Sequence, residues 1–264
     1  MRILTFLFVF GCGFYTIAQS TASGNVSTFV IEAPQLHTQK KIWVYVPENY
    51  AQTTRRFPVI YMHDAQNLFD KTTSYAGEWK VDETLNRCNA AVIVVGIEHG
   101  GERRIDELTP YTNEKYKGGG GELYLDFIVK TLKPHIDSVY RTRPGRRHTA
   151  VMGSSLGGLL SFYAMMKYPG VFGLAGVFSP SFWFSDAIYA LVENADRLPD
   201  VKLYMATGEK EGASMVDGHK KMAALLLKKG LKKKRIKSVI ATGKEHNETF
   251  WSEAFPEAYQ WLME

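Results

Sequence analysis

Residues 153–157 read Gly-Ser-Ser-Leu-Gly, which places Ser155 at the centre of a G-x-S-x-G pattern. The pattern follows an apolar, strand-like run at 149–152 and precedes a helical run at 156–168. A strand that turns sharply into a helix strains the residue at the turn, and flanking glycines remove the Cβ atoms that would clash there. The turn also places the hydroxyl beside a helix start, whose partial positive charge favours an oxyanion. Ser155 is therefore the predicted nucleophile for attack on an acyl carbon.

A serine hydroxyl needs a neighbouring base at neutral pH, and that base needs an acid to orient it. After a serine on a strand–turn–helix of this kind, the acid and then the histidine follow along the chain. Of the seven histidines, only His219 and His246 lie after Ser155. His219 opens a lysine-rich helical run, so we expect it to be exposed or at a helix end. His246 lies in a polar loop between the last strand-like run and the last helix, and it is the predicted base.

The predicted acid lies after the strand-like run at 201–206, where three carboxylates are candidates. We favour Glu211, because it lies deeper in the loop and is flanked by a glycine. Glu209 is the second candidate. Asp217 is the third, because its position also suits the cap of the following helix.

Two backbone N–H groups are needed to stabilise the oxyanion that forms during acyl transfer. One is expected from Leu156, directly after the nucleophile. The other is expected from Asp64 or Ala65, in the loop after the strand-like run at 59–62. His63 adjoins Asp64, but no third ligand lies at a spacing typical of a metal site, so we predict neither a metal nor another cofactor.

Aromatic residues after the strand-like run at 172–178 are candidates for a substrate pocket. Phe182 and Trp183 follow this run closely, and Trp79 is a further candidate from an earlier part of the chain. The alternative for each ring is packing in the core, which is where most aromatic side chains lie.

Strand-like and helical runs alternate along the chain after residue 27. The strand-like runs cover residues 28–31, 42–46, 59–62, 91–97, 149–152, 172–178, 201–206 and 237–241. The helical runs cover residues 122–140, 156–168, 218–229 and 252–262. This alternation predicts right-handed crossovers and an α/β domain over residues 28–264, with a mainly parallel eight-stranded sheet flanked by helices.

The first 18 residues have the pattern of an export signal. A basic residue precedes an apolar run at 3–10, and small residues before Gln19 suit a cleavage site. The run is shorter than the about 20 residues of a membrane-spanning helix, so we predict a periplasmic or secreted protein without stable membrane insertion. Lipid attachment at Cys12 is the second interpretation. The other cysteine, Cys88, is expected to be a small buried apolar residue.

Positive charge is concentrated in one segment. The formal net charge is +5 at pH 7, and seven cations lie within residues 228–237. A solvated helix end explains such a cluster, and an anionic partner such as nucleic acid or a membrane surface is the alternative. No aromatic residues lie among these cations and no nucleic-acid-binding motif accompanies them, so we predict no nucleic-acid partner.

Several segments resemble an esterase family of the α/β-hydrolase superfamily, which includes esterase D-type enzymes, ferric enterobactin esterases, feruloyl esterases and acetylxylan esterases. The resemblance spans nearly the whole chain after the leader and rests on residues 58–64, 94–97, 107–110, 134–137, 140–142, 153–158, 179–181 and 243–251. It implies an α/β-hydrolase fold, with Ser155, Glu211 and His246 as the catalytic triad. Ala65 departs from the glycine that the family often has at this position.

The residues and the resemblance together predict a serine carboxylic-ester hydrolase that acts through an acyl-enzyme. The resemblance implies that the substrates are small acyl esters of sugars or phenolics, or a siderophore ester. Two alternatives remain open, an acyltransferase of the same fold and a non-catalytic binding protein of the same fold.

Overall fold

A computed structural model of the protein describes residues 19–263. The predicted export signal over residues 1–18, with Cys12, lies outside the described residues. Within the described range, eight strands form one sheet in the order β1-β2-β4-β3-β5-β6-β7-β8. The strands are β1 Val26–Ala33, β2 Thr38–Tyr45, β3 Val59–His63, β4 Ile93–Ile97, β5 Thr149–Ser154, β6 Leu174–Phe178, β7 Lys202–Gly208 and β8 Ile236–Ala241.

Strands β3 to β8 are parallel, whereas β1 and β2 are antiparallel to their neighbours at one edge. This confirms the predicted α/β fold with a mainly parallel eight-stranded sheet. In the register, Ser154 of β5 pairs with Phe178 of β6, which pairs with Ala206 of β7. The carboxyl ends of these strands therefore lie side by side, and the loops that leave them meet at one edge of the sheet, where α/β proteins place their sites.

Helices cover both faces of the sheet. Between residues 19 and 263 the α-helices are α1 Val81–Arg87, α2 Arg104–Glu107, α3 Gly121–Phe127, α4 Lys133–Val139, α5 Leu156–Lys167, α6 Ala187–Glu193, α7 Ala213–Lys228 and α8 Glu248–Met263. None of the helices in this range combines the length and apolar character needed to cross a membrane.

Alternate residues of each buried strand point to opposite faces and enter two separate cores. Tyr61 of β3 packs in the core shared with α3 to α7, whereas Met62 packs in the core shared with α1 and α8. Both residues are fully buried. The central strands are thus fixed from both sides, and the ends of these strands form a rigid base for the loops.

The long helical run predicted over residues 122–140 is interrupted in the structure. Residues Ile128–Leu132 form a π-helical segment between α3 and α4, and the N–H of Lys133 donates to the carbonyl oxygen of Ile128. Pro134 lies in the first turn of α4. Because proline has no N–H to donate and its ring crowds the preceding turn, the chain takes a wider turn here.

Two expectations about single residues were wrong. His219 is only 1% exposed. Its Nδ1 and Nε2 atoms lie 2.8 Å from the hydroxyls of Thr207 and Ser238, so it links α7 to β7 and β8. Cys88 is exposed rather than buried. The physical reason is that α1 ends at Arg87, so Cys88 lies beyond the apolar face of that helix.

Candidate active site

The backbone turns sharply at Ser155, between the last residue of β5 and the first residue of α5. Ser155 has φ 55° and ψ −119°, a conformation that a residue with a side chain rarely adopts. Its N–H donates to the carbonyl oxygen of Phe178 at 3.0 Å. Its own carbonyl oxygen accepts from the N–H groups of Leu159, at 3.0 Å, and Ser181, at 3.1 Å. These bonds hold the strained turn against β6 and the loop that follows it.

Two glycines around Ser155, Gly153 and Gly158, are required by close backbone contacts. A Cβ atom on Gly153 would lie 2.8 Å from the carbonyl carbon of Gly157. A Cβ atom on Gly158 would lie 2.7 Å from the carbonyl oxygen of Phe178. Both distances are shorter than ordinary carbon contacts, so the turn accepts only glycine at these two positions without rearranging.

The loops after β7 and β8 bring an acid and an imidazole together. Oε2 of Glu211 lies 2.8 Å from Nδ1 of His246. The Glu211 side chain is fully buried, while that of His246 is 36% exposed. Oε1 of Glu211 accepts two further hydrogen bonds, from the N–H of Gly208 and the hydroxyl of Ser179, both at 2.6 Å. A carboxylate held by three hydrogen bonds fixes the orientation of the imidazole and leaves Nε2 for proton transfer.

The other two acidic candidates have different surroundings. Glu209 accepts a hydrogen bond from the backbone N–H of Gly243 at 3.0 Å, on the exposed side of the loop. Asp217 is exposed on α7. Of the three carboxylates, Glu211 is therefore the one that contacts His246.

The hydroxyl of Ser155 lies 3.3 Å from the hydroxyl of Ser181. Among residues 19–263, no direct hydrogen bond joins Ser155 to His246. The loop after β6 connects the two halves of the site instead, because Ser181 contacts Ser155 while Ser179 contacts Glu211. Ser155, Glu211 and His246 are thus grouped at one sheet edge, with the Ser155 hydroxyl turned toward Ser181.

Sequence reasoning missed two residues that support this group. The indole N–H of Trp251 donates to the hydroxyl of Ser179 at 2.8 Å. The Trp251 ring also stands edge-on to the His246 ring, with centroids 5.0 Å apart. Ser179 itself has a positive φ of 44°. Ser179 and Trp251 lie in two segments that resemble the esterase family, residues 179–181 and 243–251. This resemblance was the feature of the sequence that could have identified them.

Candidate oxyanion donors lie beside the serine turn. Leu156 opens α5, and Ala65 opens a short 3₁₀ helix, so their N–H groups have no acceptor within their own helix. A Cβ atom on Gly157 would lie 3.3 Å from Cβ of His63 and 3.5 Å from Oδ2 of Asp64. The loop after β3 therefore packs directly against the first turn of α5.

An ion pair fixes this loop after β3. Asp64 has a positive φ of 58°. Arg104 binds both of its carboxylate oxygens, with Nε to Oδ1 at 2.7 Å and Nη2 to Oδ2 at 2.8 Å. Burial acts to raise the pKa of the Asp64 carboxyl, but the Arg104 guanidinium outweighs burial and holds the pKa below its ordinary value. The carboxylate is therefore charged at neutral pH and anchors the turn at Asp64 in place.

The three aromatic candidates for a pocket have different surroundings. Phe182 is 1% exposed and Trp79 is 3% exposed, and each packs in one of the two cores. Trp183 is 47% exposed and lies edge-on to Tyr116, with ring centroids 5.7 Å apart. Of the three, Trp183 alone presents a large aromatic surface to solvent, two residues after the Ser155 contact Ser181.

Comparison with known proteins gives a consistent result. The model of the family described as "Putative esterase" matches residues 33–262. The Bacillus subtilis (strain 168) protein YbbA is 26% identical over 236 residues, which cover 84% of this chain and 92% of the relative. The siderophore triacetylfusarinine C esterase of Aspergillus fumigatus is 30% identical over 135 residues, which cover 48% of this chain and 45% of that enzyme.

A solved structure shows a similar fold. The siderophore hydrolase EstA from Aspergillus nidulans superposes with a TM-score of 0.74 at 19% identity, covering 94% of this chain and 97% of that chain. At this identity, the similarity concerns the fold. The family match over residues 33–262 shows that this chain belongs to the Putative esterase family, and its fold is that of an α/β-hydrolase.

Proposed function

We propose that this esterase is a serine hydrolase in which Ser155 attacks the carbonyl carbon of a carboxylic ester. The observation that carries the proposal is the 2.8 Å contact between the buried carboxylate of Glu211 and Nδ1 of His246, at the sheet edge that also carries the strained Ser155 turn. A base oriented in this way serves acyl transfer by serine.

The first chemical step forms an acyl-enzyme. The Ser155 side chain rotates from Ser181 toward His246, whose Nε2 takes the hydroxyl proton as Oγ bonds to the carbonyl carbon. The N–H groups of Leu156 and of Ala65 or Asp64 stabilise the oxyanion. The tetrahedral intermediate then expels the alcohol, which leaves with the proton held by His246.

The second step releases the acid. Water loses a proton to His246 and attacks the acyl carbon, and the intermediate expels Ser155 Oγ, which recovers the proton. We propose small acyl esters of sugars or phenolics, or a siderophore ester, as the substrate class. The siderophore esterase activity of the Aspergillus fumigatus relative supports an ester of siderophore type, and the exposed ring of Trp183 supports an aromatic or sugar group.

The test is hydrolysis of p-nitrophenyl acetate by the full chain and by Ser155→Ala. We expect kcat to fall by about 10³-fold or more, because the nucleophile is lost while the oxyanion donors remain. Ser154→Ala is the matched control, since it removes the neighbouring hydroxyl and leaves the turn. Equal rates for Ser155→Ala and the unmodified protein would end the proposal. A panel of acetylated sugars, feruloylated sugars and ferric siderophores then identifies the preferred ester.

A further inference from the structure

Three carboxylates lie together at the start of α1, away from the residues assigned above. They belong to Glu78, Asp82 and Glu83, and one oxygen from each lies within 4.8 Å of the other two. The cluster combines a residue of the loop before α1 with two residues of its first turn. Carboxylate oxygens converging in this way are the ligands that hard divalent cations prefer.

The cluster includes buried oxygens that lack partners. Asp82 is 0% exposed, and its Oδ1 has no hydrogen-bond donor among residues 19–263. The buried Oε2 of Glu83 also lacks a donor in that range. No described lysine or arginine forms a salt bridge with any of the three carboxylates. A buried carboxylate oxygen without a donor is costly, so this arrangement calls for a positive charge.

We propose that Glu78, Asp82 and Glu83 bind a calcium ion. Calcium takes six to eight oxygen ligands at roughly 2.3–2.6 Å, so two of its ligands lie at most about 5 Å apart. One oxygen from each of the three residues lies within 4.8 Å of the other two, which is compatible with that spacing. Zinc and copper favour histidine and cysteine ligands, which the cluster lacks.

The same carboxylates hold the segment that precedes β1. The N–H of Ser23 donates to Oδ2 of Asp82 at 2.7 Å, and the hydroxyl of Thr21 donates to Oε1 of Glu78 at 3.2 Å. These bonds leave Oδ1 of Asp82 free for a metal. A calcium ion here links the loop before α1 to the first turn of α1. Through the hydrogen bonds to Glu78 and Asp82, it also holds the segment that contains Thr21 and Ser23.

The site also adjoins the support of the candidate active site. Trp79 follows Glu78 directly, and its ring centroid lies 5.9 Å from that of Trp251. Calcium therefore stabilises the loop that carries Trp79, and we expect the effect to appear as thermal stability. This inference does not depend on the identity of the nucleophile.

The competing explanation is that neighbouring carboxyl groups share protons and bind no metal. Terbium luminescence separates the two, because terbium takes calcium sites and Trp79 adjoins Glu78 in the chain, where an indole can sensitise its emission. We expect emission from the full chain with terbium, and its displacement by calcium. Calorimetric titration should show one calcium ion per chain, and calcium should raise the thermal midpoint.

Asp82→Asn and Glu83→Gln test the ligands, with Asp196→Asn as a control at an exposed acid on another part of the surface. Each cluster variant should weaken calcium binding by about tenfold or more, because a charged ligand is lost. Each substitution also removes a negative charge from the cluster and so relieves the repulsion between its carboxylates. The thermal midpoint measured without calcium should therefore not fall. If Asp82→Asn does not fold, Glu83→Gln decides alone. Absence of binding well above about 1 mM calcium, or unchanged affinity in Glu83→Gln, would overturn the proposal.

Discussion

Oε2 of Glu211 lies 2.8 Å from Nδ1 of His246, and the other oxygen of the same carboxylate accepts from Gly208 and Ser179. The imidazole of His246, on the loop after β8, is thus held by a carboxylate that is itself held at the ends of β6 and β7. This relationship makes the roles of individual residues testable by single substitutions.

Glu211→Gln should lower kcat for p-nitrophenyl acetate by about 10³–10⁴-fold with little change in KM. The amide no longer holds the proton on Nδ1 of His246, so Nε2 is not ready to accept the serine proton. Glu209→Gln is the matched control, because it neutralises an exposed acid two residues away. Steady-state kinetics check both variants. Equal losses in the two would show that general loop charge, rather than the acid–imidazole contact, matters.

Trp251→Phe should lower kcat by about tenfold and the free energy of unfolding by about 1 kcal/mol. The ring that packs against His246 is retained, but the donor to Ser179 is lost. Trp261→Phe changes a second tryptophan of α8, which packs against Tyr204 instead. Kinetics and urea unfolding report the two effects. The interpretation fails if Trp261→Phe reduces kcat as much as Trp251→Phe.

Arg104→Ala should destabilise the fold by about 3 kcal/mol at pH 7, because it leaves the charged Asp64 buried without its partner. We also expect a lower kcat, since Asp64 anchors the loop beside the serine turn. Arg103→Ala is the control, as Arg103 is exposed and its guanidinium donates to the carbonyl oxygen of Leu36 rather than to a carboxylate. Urea unfolding and kinetics at pH 7 provide the measurement.

The pH dependence of the same pair has a defined sign. The folded-state pKa of Asp64 is lowered, so its stabilising contribution is present above the ordinary aspartate pKa and is lost as pH falls through the lowered value. In Arg104→Ala this contribution should disappear, and the variant should differ least from the unmodified protein at low pH. A difference in unfolding free energy between Arg104→Ala and the unmodified protein that grows as the pH falls would contradict the role assigned to this ion pair.

His219→Gln should flatten the dependence of stability on pH between about 6.5 and 4. Burial lowers the pKa of His219 to about 4. In this range the unfolded chain therefore binds more protons than the folded chain, and the free energy of unfolding decreases as the pH decreases. Removing the group should reduce the slope by about 1.4 kcal/mol per pH unit. Burial also lowers the pKa of His63 to about 4, so His63 contributes a pH dependence of stability with the same sign. This contribution of His63 remains in the His219→Gln variant.

Urea unfolding at several pH values measures that slope. His37→Asn serves as the control, because His37 is exposed and has a positive φ of 49° that asparagine tolerates. A slope unchanged in His219→Gln would mean that His219 is not the group responsible.

Local patterns in the sequence were enough to predict the sheet and the serine turn. The strand before Ser155 and the helix after it follow each other directly in the chain. The glycines at 153 and 157 indicate a crowded turn within the same five residues. The preference for Glu211 over Glu209 used loop position, and in the structure Glu211 is the one of the two that contacts His246. The serine turn depends on a short stretch of chain, where sequence reasoning is strongest.

Features that depend on distant partners were not predicted. His219 is buried because Thr207 and Ser238, on two different strands, supply hydroxyls to its two nitrogens. The helical period around residues 122–140 gave no sign of the π-helical segment, although Pro134 marks it. The contact of Ser155 with Ser181 likewise depends on how β5 and β6 align.

The loop over residues 179–181 has a wider consequence, because Ser181 contacts Ser155 at one end and Ser179 contacts Glu211 at the other. A substitution in this tripeptide shifts two functional groups at once, so double-mutant cycles between it and either group should be strongly non-additive. Trp183 lies two residues after this tripeptide. Substitution of the exposed ring at position 183 can therefore change the preference for an ester. Substitutions in residues 179–181 are tolerated less well, because they disturb both functional groups.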